Sequence, residues 1–129
     1  MAKDVPSVKG MEIRWLSDVE EQDYPAAESY LRIIYMPDKV DGMVAALRKA
    51  PMVQFKAKDI FRASQLSLLG ISNTHIENDR AKILAGKPLS PLLLVRDSQN
   101  GKVVIADGYH RLCAIYGFNE DALIPCKII

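Results

Sequence analysis

An α+β fold, one sheet with helices packed around it, is the class that this 129-residue sequence predicts. Three observations carry it. Apolar residues recur at helical spacing between residues 24 and 51, short β-rich runs follow from residue 52 onward, and a strand at 102–106 runs straight into a glycine turn and a helix. The length suits one domain, since single domains most often run to about 100 to 150 residues. With 49% apolar and 26% charged residues, the composition is that of an ordinary soluble globular protein and excludes a disordered tail or a fibrous repeat.

Residues 1–23 are polar, broken early by Pro6 and Gly10, and predict a loose arm with one anchor patch of Met11, Ile13, Trp15 and Leu16. Tyr24, Ala27, Tyr30, Leu31 and Ile34 then repeat at helical spacing, with Pro25 and Glu28 in the first turn and Pro37 as a stop. Asp38 caps a second helix with apolar positions Val40, Met43, Val44 and Leu47, ended by Pro51. Residues 24–51 therefore predict a helical hairpin covering a sheet. From 52 to 60 the alternation of Val53, Phe55 and Ala57 with Gln54, Lys56 and Lys58 predicts a half-buried strand. Thr74 and Glu77 form a capping-box pattern and Gly86 a stop, which predicts a helix over 75–85. Its apolar side is Ile76, Ile83 and Leu84, and its polar side His75, Asn78, Asp79 and Lys82. Pro91 to Arg96 and Lys102 to Ala106, joined by a polar DSQNG segment, predict a buried antiparallel hairpin. Leu112, Ile115 and Tyr116 give the next helix its apolar face, Gly117 ends it, and a last strand spans Ile124 to Ile129. Residues 52–129 thus form the main domain, and 24–129 one compact unit.

Seventeen Lys and Arg against sixteen Asp and Glu leave a net charge of +1, so no global field steers the chain toward a polyanion. Residues 1–55 hold 7 basic and 9 acidic groups, residues 56–85 hold 5 and 3, and residues 86–129 hold 5 and 4. Any anion site must be local. Cys113 and Cys126, in the apolar contexts RLCAIY and IPCKII, predict buried reduced thiols rather than a disulfide framework. With only His75 and His110 beside them, a structural zinc site would need an odd ligand set, and no metal site is expected. No run approaches the roughly 18 apolar residues of a membrane span, and MAKDVPSVKG lacks an apolar signal core. A cytoplasmic protein without membrane contact is the expectation.

The turn Asp107, Gly108, Tyr109, His110, Arg111 concentrates what an anion site requires. A helix N-terminus presents unpaired N–H groups and partial positive charge, and a glycine there lets a phosphate approach the backbone. His110 and Arg111 add a titratable donor and a permanent fork donor in the first helical turn. Asp107 either caps the helix or holds Arg111 one turn on. A turn that only caps a helix, with Arg111 paired to its own cap, also explains three of these residues; it leaves His110 without a role.

From about Val53 to Ile129, the succession VQFKAKDI, THIENDRAKILAG, SPLLLV, VVIADGYHR, LCAIYG and IPCKII resembles the ParB N-terminal domain and sulfiredoxin superfamily. The resemblance covers some 75 residues and implies a small mixed sheet with helices, to which the N-terminal hairpin is an addition. It further implies that Gly108, His110 and Arg111 bind nucleotide phosphates, with ATP or CTP and Mg²⁺ as candidate cofactors. The departures matter equally. Tyr109 stands where sulfiredoxins carry their catalytic cysteine, which argues against sulfinic acid repair. The Gly-Glu-Arg-Arg box of partition proteins is replaced by a sequence with His110, which argues against centromere binding. The Asp-Gly-His-His-Arg box of the free serine kinases is approached most closely, yet the region after the first strand reads Phe61, Arg62, Ala63, Ser64, Gln65 with no carboxylate after Asp59 to serve as base.

Further candidates come from position. Arg62 and Ser64 follow the first strand, where this superfamily places ligand contacts; a solvated loop is the alternative. Asn78 and Lys82 share the helix face that in sulfiredoxin-like relatives looks at the nucleotide. Lys56 and Lys58 suit protection of a sheet edge, Asp59 alone is too little for a metal, and His75 reads as a surface residue. The combined expectation is nucleotide or phosphate binding at Asp107, Gly108, His110 and Arg111, assisted by Arg62, Ser64, Asn78 and Lys82, with His110 as acid if phosphoryl transfer or hydrolysis occurs. The competing expectation is a non-catalytic module binding nucleic acid or protein, with near-neutral charge arguing against nucleic acid. Homodimerisation through the N-terminal helices is a further expectation.

Overall fold

The computed structural model describes residues 12–68 and 73–129. Its elements run α1 (Asp23–Ile34), α2 (Pro37–Lys49), β1 (Val53–Lys56), α3 (Ala57–Ser64), α4 (Thr74–Leu84), β2 (Leu92–Asp97), β3 (Lys102–Asp107), α5 (Tyr109–Phe118) and β4 (Leu123–Ile128). The α+β class predicted from sequence is what they build: helices around a four-stranded mixed sheet of order β1-β4-β2-β3. β2 and β3 pair antiparallel, β2 lies parallel to β4, and β1 runs antiparallel to β4 at one edge.

Both faces of the sheet are covered, which is why Leu92 to Val95 form an unbroken apolar run rather than an alternation. On one face Leu92, Leu94, Val103, Ile105, Ile124 and Cys126 pack with Ile60, Ile76, Ile83, Leu112 and Ile115 from α3, α4 and α5. On the other, Leu93, Val95, Val104 and Ala106 pack with Ala27, Leu31, Val40 and Leu47 from α1 and α2. Leu31 and Leu47 are completely buried, and each such leucine contributes about 1.5 to 3 kcal/mol relative to an exposed one. The apolar stripes of residues 24–51 thus close the second face. Lys127 sits beneath them, its Nζ donating to the Arg48 carbonyl at 2.8 Å and the Tyr24 hydroxyl at 3.3 Å.

Local details depart from the sequence reading in ways that have physical causes. The arm is tied down within its described part: Leu16 N–H donates to the Leu89 carbonyl at 2.8 Å, Leu89 N–H to the Arg14 carbonyl at 2.9 Å, and Glu20 N–H to Ser90 Oγ at 3.0 Å. Met11 lies outside the described residues. Pro37, taken as the stop of the first helix, is also the first residue of α2, where its missing N–H costs nothing. The strand expected over 52–60 ends at Lys56. Ala57 and Lys58 instead give their N–H groups to the carbonyls of Ala122 and Glu120, both at 2.9 Å, and Ala57, Ile60 and Ser64 bury as one helical stripe. Phe55, placed on the buried side by the alternation, is exposed on the edge strand.

In α4 the cap is Asn73, one residue before the expected Thr74; its Oδ1 accepts from His75 N–H at 2.9 Å and Ile76 N–H at 3.3 Å. Leu84 projects into solvent, unlike Ile76 and Ile83. Gly86 does end this helix: its φ of 72° allows Gly86 N–H to reach the Ile83 carbonyl and Lys87 N–H the Lys82 carbonyl, the paired bonds of a left-handed helix end. Gly117 lies inside α5, which continues to Phe118 and is capped by Asn119. Cys113 and Cys126 are free and buried, and burial pushes the Cys126 thiol up to about 12, so it stays protonated. No helix among the described residues is long and apolar enough to cross a membrane.

Candidate functional site

The strand-to-helix junction is assembled by backbone irregularity. Leu93 pairs with Asp107 and Leu94 with Ile105, so Ala106 is the extra residue of a bulge that re-aims β3 just before it ends. Gly108 follows at φ 109°, and a Cβ there would lie 2.6 Å from Leu92 Cγ. The chain therefore turns onto the sheet surface as only glycine allows. α5 starts at once, and no side chain caps it. Leu112 N–H donates to the Gly108 carbonyl at 2.9 Å, whereas the first three helical amides, of Tyr109, His110 and Arg111, precede the reach of helical bonding.

Opposite this end lies α4. His75, Asn78, Asp79 and Lys82 stand at i, i+3, i+4 and i+7, one helix face, and together with Asp107, Gly108, Tyr109, His110 and Arg111 they line a cleft of about 270 Å³. The imidazoles of His75 and His110 meet with centroids 4.8 Å apart at 33°. Tyr109 stands 5.7 Å from His110, and its hydroxyl donates to the Ser67 carbonyl.

Arg111 points beneath the turn. Its Nη2 is 3.0 Å from Asp107 Oδ2, 3.5 Å from Asp23 Oδ2 and 3.3 Å from the Pro91 carbonyl. Ser90 Oγ donates to the same Asp23 oxygen at 2.6 Å, joining α1, the entry to β2, the end of β3 and α5 in one partly buried network. Of the two roles open to Asp107 in the sequence, the structure has it holding Arg111 rather than capping α5. Arg111 borders the cleft, but its charge is matched by two carboxylates.

The electrostatics follow from burial. The Asp79 carboxyl is raised above its ordinary value, burial outweighing the lowering by Arg111, Lys82, His110 and His75. Asp107 is raised by burial and by Asp23 against the opposing pull of Arg111. His110 is lowered, chiefly by burial and then by His75 and Arg111, against the pull of Asp79. A consequence can be measured at Asp79. A carboxyl whose folded pKa is raised makes stability fall as pH rises from the unfolded value through the folded one. Asp79→Asn is therefore expected to raise the melting temperature at pH 7, and the gain should close as the pH approaches 3.8, the unperturbed carboxyl value. A gain that grows on acidification would contradict this assignment.

The cleft gathers six of the residues expected from sequence: Asp107, Gly108, His110, Arg111, Asn78 and Lys82. Arg62 and Ser64 are placed elsewhere, because the segment after β1 is helix rather than loop. Arg62 borders a separate hollow with Tyr116 and Glu120, and Ser64 is buried, its hydroxyl donating to the Phe61 carbonyl at 2.7 Å as α3 ends. His75 and Asp79 join the site unannounced; their signal was the helical spacing they share with Asn78 and Lys82. Asp23 has no local signal, since only the packing of α1 brings it to Arg111. Another cavity, of about 410 Å³, lies between α3 and the sheet over Phe55, Ile60, Leu94 and Val103, with Asp59, Arg96 and Lys102 among its lining. Its lining holds no histidine. No group of three or more His, Cys, Asp or Glu suited to a metal occurs among the described residues.

Fold and site together define a small α+β protein with a polar cleft at the N-terminus of a helix that leaves the sheet. Comparison with protein-family models, with curated proteins and with solved structures finds no match to the chain.

Proposed function

We propose that the cleft between α4 and α5 binds the phosphate of a nucleotide or other small phosphate ligand, on a fold of the ParB and sulfiredoxin type. One observation carries the reading: the uncapped start of α5 shares a single cleft with two facing imidazoles and Lys82. Helix-start amides, imidazole donors and the Lys82 ammonium converging on one small volume are the recognition chemistry of an oxyanion. Arg111 enters as a positioning residue that shapes the turn through Asp107 and Asp23, so His110 and Lys82 supply the side-chain contacts. ATP or CTP with Mg²⁺ fits this donor set, because a magnesium carried on phosphates needs only one or two protein carboxylates, and Asp79 is at hand.

Proton linkage gives the reading a sign. Free His110 has a depressed pKa, and an anion beside it raises that pKa, so binding takes up a proton between the two values. The His110 contribution to affinity therefore falls as pH rises through that window. A thermal-shift titration with ATP, CTP, ADP and inorganic phosphate, with Mg²⁺, is expected to show stabilisation at pH 6 that shrinks at pH 8. His110→Ala should weaken binding about ten- to a hundredfold, as for a lost hydrogen bond to a charged group, and flatten the pH dependence. Absence of a shift with every ligand at both pH values would overturn the reading. Phosphate release from ATP and CTP then separates binding from turnover, in which His110 would act as proton donor to a phosphate oxygen.

A further inference from the structure

The junction has a second side. Beyond Gly108 and away from α4, a cleft of about 440 Å³ is lined by Ala26 and Tyr30 of α1, Leu66, Ile105 and Ala106 of β3, and the same Asp107, Gly108, Tyr109 and His110 that line the polar cleft. Its character is the reverse of its neighbour's. Apolar side chains and two tyrosine rings dominate, and the charged groups come only from the shared turn. Tyr30 and Leu66 are each more than 40% exposed there, so apolar surface faces solvent beside a polar site. Tyr109, whose hydroxyl donates to the Ser67 carbonyl, forms one wall.

The geometry points to a two-part ligand site: the anionic end of the ligand lies between α4 and α5, and a flat apolar group lies against Tyr30, Leu66 and Tyr109. The inference rests on the phosphate reading above and names the ligand class, a phosphate ester of a planar apolar or aromatic moiety, such as a nucleotide base or an aryl group. The argument for that occupant is continuity. Four residues border both clefts, so one molecule anchored at His110 extends naturally into the apolar side. Stacking on tyrosine tolerates any π-face, and Ala26, Leu66 and Ile105 offer no side-chain hydrogen bonds to a base edge. Discrimination among bases should therefore be weak. The α1 helix, which closes the second face of the sheet, also acquires a role in the site.

Calorimetric titration at pH 6 of the full chain with three probes tests this: inorganic phosphate, glycerol 3-phosphate and 1-naphthyl phosphate. The expected result is that 1-naphthyl phosphate binds at least tenfold more tightly than glycerol 3-phosphate, and that Tyr30→Ala removes that advantage while leaving inorganic phosphate unchanged. Tyr30 is partly exposed, so the variant keeps its fold; Ala26→Gln, which puts a polar amide into the apolar side without adding charge beside the anion site, should reproduce the selective loss. Equal affinity for the two esters, or an advantage that survives both substitutions, overturns the apolar subsite and leaves the anion site standing. Failure of all three probes to bind overturns the anion site itself, and the inference with it.

Discussion

Arg111→Met is expected to destabilise the protein by about 3 to 5 kcal/mol, the loss found when one partner of a buried ion pair is removed and the other charge stays behind. The side chains concerned are only 17% exposed for Arg111, 18% for Asp107 and 10% for Asp23, so water replaces the guanidinium only in part. Set against the 5 to 15 kcal/mol of an ordinary domain, this is a large fraction. Urea denaturation at pH 7 measures it. The penalty should shrink on acidification, because Asp107, already raised by burial, can then shed its charge by protonation. Asp23→Asn and Asp107→Asn added to the variant should return part of the loss. Wild-type stability in Arg111→Met would show that the carboxylates are hydrated, contrary to the packing described. Loss of ligand binding in an Arg111 variant therefore reads first as loss of the turn, which is why His110 and Lys82 are the discriminating positions.

Gly108→Ala is the second large effect. A φ of 109° lies well beyond the left-handed minimum, which alone costs a non-glycine residue roughly 1 to 2 kcal/mol. The new methyl would also meet Leu92 Cγ at 2.6 Å, and Leu92 is fully buried, so overpacking adds about 1 to 3 kcal/mol. The expected sum is about 2 to 5 kcal/mol, read as a lower urea midpoint, together with weaker phosphate binding because the α5 amides move. Made in a Leu92→Ala background, the substitution should lose its steric share and retain the conformational one. Equal costs in both backgrounds would place the strain in the backbone alone.

How much of this was legible in the sequence depended on whether the deciding contacts were local. The run from Val103 to Arg111 announces a strand, a tight turn and a helix, and the structure builds all three, with the Ala106 bulge as the detail no periodicity reveals. The apolar spacing of residues 24–51 foretold α1 and α2 and their cover on the sheet. β1 was read too long because Ala57 satisfies two patterns at once: it continues the alternation of Val53 and Phe55, and it begins the Ala57, Ile60, Ser64 stripe that wins once Ala122 and Glu120 accept its first amides. Arg62 and Ser64 lost their assigned place with that strand. His75 is exposed, as the sequence reading has it, but it also borders the cleft, and nothing beside it in sequence says that His110 will face it. Asp23 was invisible for the same reason, since its partner Arg111 arrives through tertiary packing alone.

The most direct test of a phosphate site at this junction is an NMR titration of the His110 imidazole with and without saturating inorganic phosphate. Free His110 should titrate below the ordinary histidine value of 6.5, and bound phosphate should carry it upward, with Lys82→Ala weakening the effect. A His110 titration that phosphate leaves unmoved would contradict the account.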